Sequence, residues 1–333
     1  MRHRSPVLSV GLLLLTVLMT GRLSVAQTAD SPSKLTAATL DQWMADLSNW
    51  GRWGKDDELG TLNLITPEKR RQAAALVTEG VSVSLAFDLA KEASLNNEYP
   101  IEHSLRVHDS ENGVFAEDTY TIRYHGFAHS HVDGLCHIFY QGKMYNGFLR
   151  SAVKPSGADK LGIQTMKQGI FTRGLLVDMP RLKGVPYLEP GTAIYAQDLE
   201  AWELQTGLRI ERGDVLLVRT GLYKRQKEKG SWPFIKQASG LHASVARWLK
   251  ERDVATVGSD GTNDVFPSRV EGVRFPIHQL AVVALGMPLL DNLNLEDLAR
   301  EAQARNRWEF LFVAAPLRVP GGTGSPLNPL ATF

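Results

Sequence analysis

The chain has 333 residues, 37 of them basic and 36 acidic, and 43% of its residues are hydrophobic. This composition excludes disordered, collagen-like, coiled-coil and disulfide-scaffold proteins and leaves an ordinary folded chain. A net charge of +1 carried on mixed-sign segments supplies no basic stripe, so a small molecule and not a nucleic acid is the expected partner.

Arg2, His3 and Arg4 precede an apolar run, Val7 to Met19, that closes on Ser24-Val25-Ala26. Residues 1–26 therefore read as a secretory signal peptide, with cleavage before Gln27 and export to the periplasm or medium. The run is shorter than the roughly 20 residues a spanning helix needs, so no membrane segment is expected once the leader is removed. Residues 27–36 are small and polar and read as a flexible tether, leaving 37–333 as a single domain. Cys136 is the only cysteine, so no disulfide can form within the chain and core packing must supply the stability.

In chain order, Leu40, Trp43, Met44 and Leu47 recur at helical spacing, and Thr66-Pro67 opens a second helix that closes toward Gly80. Strands are expected at 81–87, 174–179, 214–220, 255–260 and 310–316, where apolar runs are rich in β-branched residues. Leu241, Val245, Trp248 and Leu249 mark another helix, and Asn294 begins one through Ala302. The order mixes β-β with β-α-β connections, which predicts an α/β fold with a mixed central sheet. The sequence contains no G-x-S-x-G, H-E-x-x-H, G-x-x-x-x-G-K-[ST] or G-x-G-x-x-G, which argues against serine hydrolase, zincin, P-loop and Rossmann chemistry.

Four of the nine histidines fall within HGFAHSHVDGLCH, residues 125–137: His125, His129, His131 and His137. Thr119 to Tyr124 alternates as a strand does. If the chain continues extended, His129, His131 and Asp133 project to one face. Imidazole nitrogen with carboxylate oxygen suits zinc, manganese or ferrous iron, whereas calcium prefers oxygen alone. His137 lies four residues after Asp133, so a helical turn would return it to the same cavity. His103, His108 and His242 read as surface or capping residues. Trp53, Phe127 and Phe139, with Trp50 and Tyr140, are candidates for an aromatic substrate pocket.

The cluster resembles the cyclase superfamily that includes bacterial kynurenine formamidase and isatin hydrolase, whose motif is H-x-G-T-H-x-D-x-P-x-H. Laid on 127–137 it matches at His131, Asp133 and His137, with Ser130 for threonine. Phe127 stands where the motif has its first histidine, His129 replaces glycine and Leu135 replaces proline. The departure at 127 implies a longer subgroup in which His129 or a more distant residue completes the coordination shell. Asp260 in VGSDGTND, the stretch GDVLLVRTG (213–221) and the closing PGGTGSPLNPLA (320–331) are also similar. His278 in FPIHQL and Asp291 in LLDNLNL match a later histidine and acidic residue that reach the metal in the family.

The resemblance implies a swivelling β/β/α cyclase-like fold, a homo-oligomer, and one divalent ion per subunit, zinc or manganese. It implies His131, Asp133, His278, His129 and Asp291 as ligands, His137 as the catalytic acid/base, and Asp260 as a support for the ligands. The implied activity is hydrolysis of a C–N amide bond, cyclic amide or aryl-formamide, by metal-activated water. A divalent ion lowers the pKa of water toward 7 and polarises a carbonyl, and an imidazole can carry the proton to the leaving nitrogen. Alternatives are a lactone or ester hydrolase, a C–C-bond cyclase, an exported metal- or ligand-binding protein without turnover, and a Cys136 nucleophile paired with His137. Adjacent side chains on an extended chain point apart, which favours a buried, inert Cys136.

Overall fold

The computed structural model describes residues 35–333 together with Met1 and His3; the leader and residues 27–34 of the expected tether lie outside the described residues. Leu35 and Thr36 do not belong to a tether. Leu35 bridges Val270 and its carbonyl accepts from the Glu271 N–H at 3.0 Å, while the Thr36 hydroxyl accepts from the Thr39 N–H and caps the first helix.

Helix α1 (Ala37–Asp46) buries Leu40 and Met44, and α2 (Pro67–Ala74) starts from a Thr66 cap with Pro67 in the first turn. Strand β1 (Ser82–Ser84) is followed by a long hairpin of β2 (Glu102–Ser110) and β3 (Gly113–Thr121), then by β4 (His131–Asp133). A small hairpin, β5 (Val153–Lys154) and β6 (Gly157–Ala158), precedes β7 (Ile170–Asp178), α3 (Met179–Lys183), β8 (Ala193–Ile194) and α4 (Ala196–Thr206). Next come β9 (Val215–Arg219), α5 (Leu222–Lys229), β10 (Gly240–Leu241), α6 (Val245–Glu251) and β11 (Thr256–Ser259). Helix α7 (Pro276–His278) runs into a π-helical stretch, Gln279–Leu285, before β12 (Leu289–Asp291), α8 (Glu296–Arg305), β13 (Glu309–Ala314), β14 (Gly324–Pro326) and β15 (Leu330–Thr332).

Among the described residues, nine strands make one mixed sheet in the order β1-β15-β13-β7-β9-β11-β12-β4-β14. Its centre, β7, β9, β11 and β12, is parallel. The apolar runs there are continuous because these strands are covered on both faces, as parallel strands must be when helices cross over them. The flanks, β13 beside β7 and β4 beside β12, are antiparallel. This is the mixed α/β architecture that the element order predicts. The expected strand at 81–87 contracts to β1, where only three residues find a partner on β15.

Gln279–Leu285 escapes a periodicity search because QLAVVAL is apolar all round, the pattern of a helix with no wet face; Leu280 to Leu285 are all fully buried. Gly286 ends the stretch in a left-handed conformation (φ +66°), and its carbonyl accepts from the Thr61 N–H at 2.8 Å. Gly60 sits against that carbonyl with φ +58°, and a Cβ added there would lie 1.9 Å from the Gly286 oxygen. Only glycine fits, and the contact pins the helix that carries His278. Gly60→Ala is expected to cost about 2–4 kcal/mol, from left-handed strain and a backbone clash that no side chain can relieve. Urea unfolding followed by tryptophan fluorescence checks it.

Candidate metal centre

The register of one strand pair assembles the first donor groups. Antiparallel β4 and β12 place His131 opposite Asp291 and Asp133 opposite Leu289. Side chains alternate across a strand, so His131, Asp133 and Asp291 share a face while Val132 and Leu290 enter the core behind them. One nitrogen or oxygen from each of these three side chains falls in a common group with all separations within 4.8 Å. The site lies at the carboxyl end of the parallel strands, where β12 ends and the loop after β11 begins, the usual place for a ligand in such a sheet.

Gly134 follows β4 with its N–H donating to the Thr323 carbonyl at 2.8 Å, and a Cβ there would meet that oxygen at 2.8 Å. The chain then turns, the His137 N–H donating to the Gly134 carbonyl, which returns the His137 ring to 3.9 Å from Asp133. His125 arrives from the other side, its Nδ1 at 2.9 Å from Asp133 Oδ1, stacked on His137 with ring centres 3.8 Å apart. His125, Asp133 and His137 form a second group of close donor atoms that shares Asp133 with the first. Thus His125, two residues ahead of Phe127, brings an imidazole to the cluster where the motif alignment leaves none.

His278 enters on α7. Asp264 accepts from the Ile277 N–H at 2.8 Å, from the His278 N–H at 3.3 Å and from His278 Nδ1 at 2.5 Å, so one carboxylate caps the helix and sets the ring. Its Nε2 then faces Asp133 Oδ2 at 3.5 Å and Asp291 Oδ2 at 3.4 Å. His131 is set in the same way, its Nδ1 donating to the His129 carbonyl at 2.8 Å and its Nε2 lying 3.4 Å from Asp133 Oδ1. Both rings are therefore anchored outward through Nδ1 and turn Nε2 inward, the arrangement of metal-ligating histidines. Asn263 donates to Asp291 at 2.6 Å and fixes that carboxylate.

The electrostatics favour positive charge beside Asp133. Asp133 is 1% exposed and neither of its oxygens receives a hydrogen bond. Burial alone would raise its pKa, but His137, His125 and His131 outweigh burial and hold the carboxyl well below its usual range. Burial likewise opposes charge on His278, yet Asp291 and Asp264 raise it well above an ordinary imidazole; Asp133 raises His131 against the same penalty. A buried carboxylate encircled by inward-facing imidazole nitrogens fits a divalent cation, and the mixed nitrogen and oxygen donors suit zinc or manganese better than calcium.

A pocket of about 210 Å³ opens on the cluster, walled by Phe127, Ile138, Ile235 and Phe275 beside the histidines and carboxylates. Thr262 also lines it, with a buried hydroxyl that has no partner. Of the expected aromatic residues only Phe127 reaches this pocket. Trp53 lies instead beneath the Arg52 guanidinium (4.8 Å), and Phe139 packs on the core with Arg150 over its ring (5.5 Å).

His129 is not brought into the cluster. The chain becomes a strand only at His131, so the two-residue alternation does not extend back to 129. Asn292 holds the preceding loop, donating to the Gly126 carbonyl at 2.7 Å and the His129 carbonyl at 3.3 Å. His129 contributes its backbone carbonyl to orienting His131, while its buried ring makes no hydrogen bond. Asp260 does not reach the cluster either. It accepts from the Thr220, Gly221 and Leu222 N–H groups and from the Thr220 hydroxyl, and so ties the β9–α5 turn to β11. Asp264, Asn263 and Thr262, in the same GTND loop, went unread because a single polar loop residue carries no periodic signal; the excess of histidine at 125–137 did include His125.

A family model described as Putative cyclase matches residues 71–263. Among solved structures, one described as a novel cyclase is 30% identical, covering 86% of this chain and 99% of its own, with a TM-score of 0.78. Isatin hydrolase A from Ralstonia solanacearum is 22% identical over 75% of this chain and 91% of its own, TM-score 0.54. An isatin hydrolase bound to the product analogue thioisatinate is 19% identical over 78% and 93%, TM-score 0.53. These two are likenesses of fold. No significant match is found among curated proteins.

Because Asp264, Asp291 and Asp133 raise His278 and His131, these imidazoles keep protons that a cation must displace. Zinc or manganese binding is expected to release protons at neutral pH, and affinity should keep rising with pH above the ordinary imidazole range. Calorimetry in two buffers of different ionisation enthalpy checks this, an identical apparent enthalpy in both being the contrary result.

Proposed function

This chain belongs to the cyclase family that it matches over residues 71–263, and from that premise we propose that it is a metal-dependent hydrolase cleaving a C–N amide bond in a small molecule, of cyclic-amide or aryl-formamide type. The observation that carries the reading is the Asp133 carboxylate, buried without a hydrogen-bond donor among four imidazoles and Asp291. In this reading His131, Asp133, Asp291 and His278 hold one divalent ion per subunit, zinc or manganese. Such an ion, when bound, supplies Lewis acidity toward a carbonyl and toward water.

The remaining work falls to the chain's own side chains. His137 lines the pocket, and burial pushes its pKa down to about 4, so its ring is neutral at neutral pH with a lone pair free to take a proton from water. Once protonated, a ring of that pKa gives the proton up readily, which suits delivery to a poor amine leaving group. Phe127, Ile138, Ile235 and Phe275 exclude water and favour a flat, largely apolar substrate. The unpartnered Thr262 hydroxyl offers that substrate one hydrogen bond. Cys136 is excluded as the nucleophile: it is fully buried, and burial raises its thiol to about 11. The leader over 1–26 supports action outside the cytoplasm, with Gln27 as the mature N-terminus, and assembly is as a homo-oligomer.

His131→Ala and Asp133→Ala are expected to abolish both bound metal and hydrolysis while circular dichroism stays native. Full metal occupancy in His131→Ala would sink the assignment. His137→Ala should keep the metal and lose about 10²–10⁴-fold in turnover, more on an amide than on a matched activated ester, because only the amine depends on a delivered proton. Metal analysis of the purified variants beside paired amide and ester assays separates the two roles; loss of metal and of both activities alike makes His137 a ligand.

A further inference from the structure

A groove of about 370 Å³ runs beside the pocket over the metal cluster, and Ile235 belongs to both. Phe275 forms the partition between them. Its ring lines the pocket and meets Phe266, on the groove side, edge to face with ring centres 5.3 Å apart. At about 210 Å³ the pocket alone is smaller than the roughly 300 Å³ at which ordinary small-molecule sites begin, and the groove brings the combined site into their range.

The groove is held in shape by its own backbone. Residues 266–275, FPSRVEGVRF, turn about Ser268, whose buried Oγ accepts from the Val270 N–H at 3.2 Å and lies 3.1 Å from the Val270 carbonyl and within hydrogen-bond distance of that of Val273. Leu35 bridges Val270 from outside the loop. Phe266, Val270 and Val273 then give the groove an apolar lining, and Lys236 and Arg274 supply its charge. No carboxylate lines it, that of Glu271 on the same loop included, and Arg269 is committed to the Gly191 carbonyl at 2.9 Å. Arg274 lies over the Phe275 ring, 5.6 Å from its centre, and so stands at the partition itself. Two cations beside an apolar floor, with no anion lining it, select a ligand that is apolar along its length and acidic at its end.

We propose that the groove is the outer half of the substrate site, taking an apolar tail of the substrate that crosses Phe275 and ends in a carboxylate held by Lys236 and Arg274. The proposal rests on the hydrolase reading for the head of the substrate, the flat amide at the metal cluster, and narrows that reading to tailed, anionic amides. The two halves divide the work. The pocket takes a flat head with a donor atom for the metal, and the groove discriminates by length and charge. Each methylene laid on Phe266, Val270 and Val273 gains up to about fourfold in affinity until the acid reaches the cations, and the two exposed ion pairs together add about tenfold.

Titration calorimetry on the zinc-loaded protein tests it with para-substituted benzenethiols, whose thiolate binds zinc and offers no bond to hydrolyse. The substituent is a chain of about two to six methylenes ending in a carboxylate or in a neutral carboxamide. Affinity is expected to climb with chain length and then level off. At the best length the carboxylate should bind about tenfold tighter than the carboxamide, an advantage that raised salt shrinks. Lys236→Gln with Arg274→Gln should bring that ratio to about one, and Lys236→Glu with Arg274→Glu should turn the preference toward an ammonium-ended tail. Val273→Trp should shorten the length at which affinity levels off. Equal affinity for carboxylate and carboxamide in the wild type overturns the proposal. A carboxylate advantage that survives both double substitutions also overturns it, because the acid is then bound at the metal. Groove substitutions that alter self-association in sedimentation velocity and leave the ratio untouched overturn it in favour of a protein contact. Turnover of the matching tailed formanilides is read separately: a tail preference in binding with no formanilide hydrolysed sinks the hydrolase reading and leaves the groove as the site of an anionic tail.

Discussion

Everything in the site answers to one unfavourable burial. An ionised carboxylate taken out of water without donors costs several kcal/mol even after the protein relaxes, and Asp133 is buried with both oxygens bare of hydrogen bonds. The surrounding structure tolerates it by convergence: β4 is sandwiched between β12 and β14, and histidines arrive from a loop, a turn and a helix. Two glycines make room for the backbone beside it. Gly134 clears the Thr323 carbonyl, and Gly324 clears both the Val132 carbonyl and the His125 ring, where a Cβ would fall 2.4 Å and 2.9 Å away.

Tautomer choice is settled by two chemically different anchors. A backbone carbonyl, that of His129, commits Nδ1 of His131, while a carboxylate, that of Asp264, commits Nδ1 of His278. The carboxylate anchor makes its ring the more basic donor. Asp264 also accepts two backbone N–H groups of the helix it caps, so ring orientation and helix position are one constraint. The all-apolar π-helical stretch that follows, pinned by Gly60 against Gly286, keeps that constraint rigid from behind.

What could be read from sequence follows the range of the physics involved. The parallel core strands were legible because continuous apolar runs report burial on two faces, and α1 and α2 because caps and periodicity are local. His131, Asp133 and His137 were legible because they are close in sequence and their spacing has a geometric meaning on a strand and a turn. His129 was misplaced because the alternation rule was carried two residues past the true start of β4, into a loop shaped by Asn292 from 163 residues away. Trp53 and Phe139 failed for a related reason: an aromatic side chain declares that it will be covered, without declaring by what. Asp260 acts at a strand end, satisfying backbone amides, which is the commoner use of such a residue.

The order of the pieces along the chain has a consequence for biosynthesis. His125 to His137 are made first, His278 and Asp291 some 150 residues later, and β14, which lies along β4 and takes the Tyr124 hydroxyl on the Gly324 carbonyl, only within the last ten residues. The pair β4–β12 cannot register until both strands exist, and its open edge is covered only by β14. A growing chain therefore offers a passing cation scattered imidazoles and never the finished cage. A metal bound there would enter a folded protein, and its identity would be decided by the geometry of the completed site and by whatever metal is at hand when synthesis has ended.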